Sequence, residues 1–226
     1  GKYSEVASLY EQAIATEPHV TSHYWHLGLA YLLQGYEEEA QVTWMSPMVE
    51  GTPEEAEEWT SELIQILETE ALRQTNLNNL ELSWLVRQHI REIAPNFINN
   101  LLHLIQISID LGNFIPEHLT EWQVATLLQQ SDSTQLDLDL LTQIIKVLLG
   151  FSVPETLYFV EASLFHYSNN SEVFINSVMP IAVRTAHKTQ KPYLAARLAE
   201  LCLKLNSEHP EALRHLSYFY TIASLH

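Results

Sequence analysis

The sequence predicts an all-α protein of about a dozen helices joined by short links. Apolar residues recur at helical spacing along most of the 226 residues, and helix-breaking residues separate the periodic stretches. With 46% hydrophobic and 17% charged residues, the chain can bury a substantial core, which excludes disorder as its main state. Helical periodicity is clearest in residues 3–15, 21–34, 80–93, 99–111 and 193–205.

The best-defined helix start lies at Pro53. Thr52 is the predicted N-cap, proline takes the first helical position, and Glu54 and Glu55 follow in the first turn, where carboxylates are favourable. The apolar face of this helix comprises Ala56, Trp59, Leu63 and Leu67. The opposite, polar face comprises Glu54, Glu55, Glu58 and Glu62.

Residues 129–140 contain a candidate joint and a strand-like alternation. Leu136 to Leu140 alternates apolar and acidic residues like a strand, but it continues directly into an apolar stretch without a hairpin partner. We therefore expect a capped, buried helix there. No domain boundary stands out, and Gln129–Thr134 is the best candidate for a soft joint.

Charge is distributed unevenly along the chain, which carries 11 basic and 28 acidic residues for a net charge of −17. No basic residue lies between Lys2 and Arg73, whereas 14 acidic residues do. From Arg184 onwards six bases face three acids. Nucleic acids and anionic membranes require clustered bases, so neither is an expected partner. An acidic face attracts a basic protein or peptide, although Glu37–Glu39 and Glu54–Glu58 are also typical of solvated helix faces.

Residues that would direct export or catalysis are missing from the sequence. One cysteine, no long apolar run and no leader predict a cytoplasmic protein, and Gly1 in place of Met predicts an excised piece of a longer chain. The sequence has no nucleophile elbow, phosphate-binding loop or dinucleotide fingerprint. We therefore expect no enzyme activity in this segment, no cofactor and no metal.

The histidine cluster and the single cysteine suit metal binding or nucleophilic chemistry, but a structural role is favoured for each. His19, His23 and His26 are spaced so that they can share a metal, but the favoured interpretation is that His19 caps a turn while the other two stay partly exposed. Cys202 occupies a small-residue position of a helix, where a buried, inert thiol is expected.

A helix-turn-helix repeat is indicated near the N-terminus. Its residues are Tyr24, Leu27, Gly28, Tyr31, Gly35 and Ala40. Their spacing resembles the tetratricopeptide repeat (TPR), in which small residues such as Gly28 and Ala40 let two helices approach closely. Ala195, Ala199 and Cys202 match the small positions of a second helix near the C-terminus.

The resemblance implies one TPR-like domain over residues 1–226, an α-α superhelix or right-handed solenoid. TPR-like units are expected near 1–52 and 176–226, with irregular helical repeats over 53–175. Repeats are expected to begin near Thr21, Ile98, Asn176 and Pro210, of which only the last two are 34 residues apart.

The resemblance also implies a concave groove, lined by the first helix of each repeat, that binds a peptide or partner protein. Carried over by register, its residues in the first full repeat are Ser22, Trp25, Leu29, Leu32 and Leu33. Those in the unit starting at Ile98 are Asn99, Leu102, Gln106, Ile109 and Asp110. Trp25 is expected to be an exposed binding residue, whereas burial against neighbouring helices is the alternative for Leu29 and Leu32.

The segment 205–220 is similar to the N-terminal repeats of bacterial SPINDLY-type O-linked GlcNAc transferases. That resemblance implies a domain that recruits substrates for a catalytic half further along the chain. This family usually has asparagine before the Leu-Gly pair, but His26, His103 and His215 take those positions here.

Three functions are therefore open. The first is an interaction scaffold that binds a protein or peptide in its groove. The second is a substrate-recruiting domain of a larger glycosyltransferase. The third is self-association as a homodimer through terminal helices, because Tyr218, Phe219, Tyr220 and Ile222 lie in a last helix with no polar capping helix after it.

Overall fold

The computed structural model describes residues 2–132, 136–151, 154–188 and 191–224. Every regular element in these ranges is a helix, which confirms the all-α prediction. The helices are α1 (Lys2–Thr16), α2 (Thr21–Leu32), α3 (Glu37–Glu50), α4 (Pro53–Asn76), α5 (Leu80–Ile93), α6 (Ile98–Asp110), α7 (His118–Glu121), α8 (Val124–Gln130), α9 (Leu138–Phe151), α10 (Pro154–Ser163), α11 (Ser171–Lys188), α12 (Pro192–Leu205) and α13 (Pro210–Ala223), with a 3₁₀ turn at Leu164–Tyr167 between α10 and α11. Within the described ranges, none of these helices combines the length and apolarity needed to span a membrane.

The helices pack into two compact units. Unit 1 comprises Gly1–Asn100 and Asp110–Gly112, and unit 2 comprises Leu101–Ile109 and Asn113–His226. The single domain inferred from the sequence stays a prediction, and each unit is described by itself.

The start of α4 matches its sequence signals. Thr52 Oγ1 accepts a hydrogen bond from the Glu55 amide at 3.2 Å, and the Glu55 carboxylate accepts one from the Thr52 amide at 2.8 Å. This reciprocal capping box satisfies two of the amides that a helix start leaves without partners. Leu63 and Leu67 on the predicted apolar face are fully buried, whereas Glu54 and Glu58 are exposed.

The core of unit 1 lies between two helical hairpins, α2–α3 and α4–α5. Its central residues are Trp25, Leu32, Trp44, Leu63, Leu67, Val86 and Ile90. Gly28 makes the α2–α3 contact possible, because a Cβ at this position would lie only 2.2 Å from Nε1 of Trp44. Gly28 therefore allows close packing between α2 and α3, and the group that fills the space beside it is the Trp44 indole.

The hairpin α1–α2 is closed by tyrosine hydroxyls and small buried residues. Tyr31 donates to Glu11 at 2.6 Å, and Tyr24 donates to the Pro18 carbonyl at 3.1 Å. The hydrogen bond to Glu11 is the main reason that the pKa of Tyr31 rises to about 12. Ala7 and Ala30 are buried beneath these bonds, so small side chains bring the two helices together.

One charged residue, Arg87, is fully buried in unit 1. Its Nη1 donates to Asn100 Oδ1 at 3.2 Å, and the Asn100 amide donates back to the Arg87 carbonyl at 2.9 Å. Burial lowers the pKa of Arg87 to about 10, and burial also raises the pKa of nearby Glu68. Arg87 thus joins α5 to the start of α6, and its burial disfavours the charged form of the guanidinium.

Unit 2 contains buried polar contacts as well as apolar packing. The Tyr167 and Thr142 hydroxyls lie 2.7 Å apart, and His166 Nε2 lies 2.8 Å from the Leu128 carbonyl. Because a carbonyl only accepts, this His166 nitrogen carries the proton. In α12 the predicted small positions Ala195, Ala199 and Cys202 are all fully buried.

The strand-like alternation at residues 136–140 leads into a capped helix, α9. Asp137 Oδ1 accepts hydrogen bonds from the amides of Asp139 and Leu140, both at 3.0 Å, so Asp137 caps α9. The alternation at 136–140 is therefore not a strand. Part of the predicted joint Gln129–Thr134 lies outside the described residues, since 133–135 are not among them.

Three of the four predicted repeat starts coincide with helix starts, although the repeats themselves stay a prediction. Thr21, Ile98 and Pro210 are the first residues of α2, α6 and α13. The start near Asn176 is wrong, because α11 begins at Ser171 and continues through that position. Asn176 is exposed on α11, where an asparagine lowers helix propensity only slightly and does not end the helix.

Candidate functional site

A pocket of about 480 Å³ opens between α2 and α4 in unit 1. We call it the α2–α4 pocket. Helix α2 contributes Ser22, Trp25, His26 and Leu29. Helix α4 contributes Glu62, Gln65, Ile66, Thr69 and Glu70.

The floor of the pocket is fixed by Trp25, whose side chain is fully buried. Its Nε1 donates to Glu62 Oε2 at 3.2 Å across the pocket, and its carbonyl accepts from Trp44 Nε1 at 3.1 Å. Trp25 thus links α2 to α4 through its indole and to α3 through its carbonyl. The expectation of an exposed Trp25 is wrong, because α4 packs over the side of α2 that the repeat register assigned to the groove.

The first set of predicted groove residues divides between pocket and core. Ser22, Trp25 and Leu29 line the α2–α4 pocket, and their part in a binding groove stays a prediction. Leu32 is fully buried in the core, and Leu33 is half-buried against it. The prediction that Leu32 lines an open groove is therefore wrong, and the alternative of burial against neighbouring helices applies.

The second predicted set lies on α6 and does not form one exposed surface. Leu102 is fully buried, which contradicts its assignment to an open groove. Asn99, Gln106 and Ile109 are half-buried, and Asp110 is exposed. Since α6 is strongly apolar and its residues at 101, 104 and 105 are also buried, most of this helix serves as core.

The charge of the α2–α4 pocket is negative. Glu70 is paired with Arg73, whose Nη2 lies 2.7 Å from Glu70 Oε1, so this carboxylate is neutralised within α4. Glu62 is exposed and accepts a hydrogen bond from the neutral indole N–H of Trp25. No Lys or Arg is among the residues that line the pocket, so Glu62 leaves it with an uncompensated negative charge.

The residues on α4 were missed by sequence reasoning. Glu62 was assigned to a solvated face, and Gln65, Ile66 and Thr69 were not singled out. Their spacing of three or four residues does place them on one side of a helix. That spacing does not show which other helix the side faces, so only the fold brings them opposite α2.

The histidine cluster is occupied by aromatic and carboxylate contacts. The His26 ring stacks on Tyr10 with centroids 5.1 Å apart, and its Nδ1 lies 2.8 Å from the Ser22 carbonyl. His23 Nε2 lies 3.3 Å from Glu17 Oε2, and His19 is exposed. Across the described part of the chain, no three His, Cys, Asp or Glu side chains are grouped as a metal site requires.

Cys202 is a buried free thiol, as predicted. Burial raises its pKa to about 12, so the thiolate is not populated near neutral pH. The side chain therefore acts as a small apolar group in the packing of α12.

The terminal helix α13 combines buried and exposed aromatic residues. Phe219 is fully buried, so it is not part of an exposed end surface, whereas Tyr218 and Tyr220 are 42% and 44% exposed. The Tyr220 hydroxyl donates to Glu200 of α12. Self-association through this helix stays a prediction.

Comparison with known protein families gives no matching family model, and comparison with curated proteins gives no match either. The tetratricopeptide and SPINDLY-type resemblances therefore stay predictions.

Proposed function

We propose that the chain is a helical-repeat scaffold that binds a basic segment of a partner protein, with a Lys or Arg side chain seated in the α2–α4 pocket. The observation that carries this proposal is the uncompensated carboxylate of Glu62 beside an apolar floor. In this proposal the 226-residue chain binds its partner and catalyses no reaction.

The arrangement of the hairpins supports a repeat scaffold. Hairpins α2–α3 and α4–α5 follow each other directly in the chain, and their first helices, α2 and α4, pack against each other. In the superhelix that the TPR resemblance implies, first helices line the binding groove. The pocket lies between two such helices, where a groove-bound peptide would pass.

The lining of the pocket suits a long basic side chain. Its methylene stem can pack on Leu29 and Ile66 while its charged head reaches Glu62, as amphipathic side chains commonly do. A charge-assisted hydrogen bond to the carboxylate would then hold the head. Ser22, Gln65 and Thr69 supply hydroxyl and amide groups for the backbone of the bound segment.

The experiment is a selection of random 12-residue peptides, displayed on phage, against the whole 226-residue chain. We expect the selected peptides to be enriched in Lys or Arg at one position. Synthetic versions of them should bind Glu62→Gln about tenfold more weakly than the parent chain, because a charge-assisted hydrogen bond contributes about 1.5–3 kcal/mol. Glutamine keeps an oxygen that accepts from Trp25, so the fold is preserved.

The matched control is Glu58→Gln, which removes the same charge from an exposed position of the same helix outside the pocket. It should leave affinity nearly unchanged. Peptides without basic residues, or an equal effect of the two substitutions, would contradict the proposal.

A further inference from the structure

Helix α3 exposes a stripe of apolar side chains to solvent. Val42, Met45 and Val49 are 68%, 55% and 78% exposed. Their spacing of three and four residues places them on one face of the helix. We call these residues the α3 stripe. Packed helices normally cover such a stripe with a ridge of side chains from another helix.

The α3 stripe continues into a second pocket of about 350 Å³. The lining of this α3–α5 pocket includes Trp44, Met45, Met48, Leu63, His89 and Glu92. Met45 belongs to both features, so stripe and pocket form one surface. Trp44 and Leu63 are buried and give the pocket a rigid floor, whereas the two methionines are flexible and can adapt to a bound side chain.

Carboxylates border this apolar surface. Glu38 lies four residues before Val42 on the same face of α3, and Glu92 lines the pocket. His89 is 4% exposed, with its Nδ1 3.3 Å from Glu92 Oε2 and its Nε2 3.7 Å from Glu37 Oε2. Two carboxylates, those of Glu37 and Glu92, thus face the His89 imidazole, and Glu38 adds a third carboxylate to the border of the α3 stripe.

No Lys or Arg offsets these carboxylates from within the surface. Neither basic residue type is among the pocket's lining residues. Arg91 lies two positions from His89 and therefore on another side of α5, where its Nε donates to Gln88. The surface combines an apolar centre with an acidic border.

We infer that the α3 stripe and the α3–α5 pocket dock an amphipathic helix of a partner, whose apolar face carries flanking Lys or Arg residues. A helix fits because the stripe has helical spacing and presents a ridge for another helix to pack against. Basic flanks fit because the border is acidic. This site shares no lining residue with the α2–α4 pocket, so it does not depend on the proposed function.

The methionines allow a direct test on the whole chain. It contains three methionines, of which Met45 and Met48 line the pocket and Met179 is buried in unit 2. The probe is a synthetic 14-residue peptide of leucine and lysine that forms an amphipathic helix, added to protein carrying ¹³C-methyl methionine. We expect the Met45 and Met48 methyl resonances to shift on titration while Met179 stays in place.

Two pairs of substitutions control the test. Val42→Lys with Val49→Lys places charge on exposed positions of the stripe and should weaken binding at least about tenfold, because two apolar contacts are lost and the new charges repel the lysines of the peptide. Leu9→Lys with Leu72→Lys makes the same charge change at positions that are 65% and 45% exposed outside the surface, and should leave affinity close to the parent value.

Several results would overturn the inference. An equal response to the same peptide with glutamate in place of lysine would show that basic flanks are not recognised. Unshifted Met45 and Met48 resonances at saturating peptide, or equal weakening by both pairs of substitutions, would show that this surface is not the docking site. A shift that depends on protein concentration without peptide would show that a second copy occupies the surface.

Discussion

Replacing Gly28 by alanine would insert a methyl group into the contact between α2 and α3. The new Cβ would lie 2.2 Å from Nε1 and 2.5 Å from Cδ1 of Trp44, closer than carbon and nitrogen atoms can approach. Trp44 is only 3% exposed and donates its Nε1 proton to the Trp25 carbonyl. The indole would therefore have to leave a buried, hydrogen-bonded position.

The expected loss of stability combines three effects. Alanine gains about 1 kcal/mol over glycine in a helix interior. Overpacking a core costs about 1–3 kcal/mol. Separating the Trp44 N–H from its buried acceptor costs about 1–3 kcal/mol more. The free energy of unfolding should fall by about 3 kcal/mol, which lowers Tm by about 6–12 °C for a chain of this size.

Urea and thermal unfolding followed by circular dichroism would measure this change. Gly150→Ala is the matched control, because Gly150 is also helical but nothing lies within 4 Å of its Cβ position. That variant should be as stable as the parent or up to about 1 kcal/mol more stable. In the Gly28→Ala/Trp44→Leu double variant the two losses should be at least about 1 kcal/mol less than additive. A Gly28→Ala protein as stable as the parent would refute the packing described here.

Three further predictions concern buried and capping residues. Trp25→Ala should lower the free energy of unfolding by about 3–5 kcal/mol in urea titrations, because a large buried side chain is lost; a loss under about 1 kcal/mol would restore the exposed-residue interpretation. Thr52→Ala should cost about 1 kcal/mol through the lost cap of α4, and unchanged thermal unfolding would contradict that role. The pKa of Cys202 rises from 9.0 to about 12 on folding, so above pH 9 the unfolded chain loses a proton that the folded chain keeps. The free energy of unfolding should therefore fall between pH 9 and 11 more steeply in the parent than in Cys202→Ala, by about 1.4 kcal/mol per pH unit. Equal slopes would contradict the raised pKa of Cys202.

Local signals in the sequence predicted local structure well. Thr52 and Pro53 mark the start of α4, and the strand-like alternation after Asp137 proves to be a capped helix. Both features depend on hydrogen bonds between residues two or three apart in the chain. The donor and acceptor of each hydrogen bond therefore lie within one short stretch of sequence, where they can be recognised before the fold is known.

Side-chain exposure depended on contacts that the sequence does not specify. Repeat register assigned Trp25 to a groove but could not show that α4, 24 residues long, covers its indole. Glu62 is 37 residues away from Trp25, and only the packing of the two hairpins makes it a hydrogen-bond acceptor for that indole. Contacts between residues far apart in the sequence can be identified only when the positions of the helices are known.

The Trp25 indole N–H reports most directly on the α2–α4 pocket, because it donates to the carboxylate that we propose as the anchor for a basic side chain. Its ¹⁵N-indole resonance, one of five from tryptophan, should be followed while a Lys- or Arg-containing peptide from the selection is added to the whole chain. We expect a saturable shift of the Trp25 resonance with the Trp122 resonance unchanged, and loss of most of that response in Glu62→Gln. Tight binding of the peptide with an unmoved Trp25 resonance would show that the basic side chain does not bind in the α2–α4 pocket.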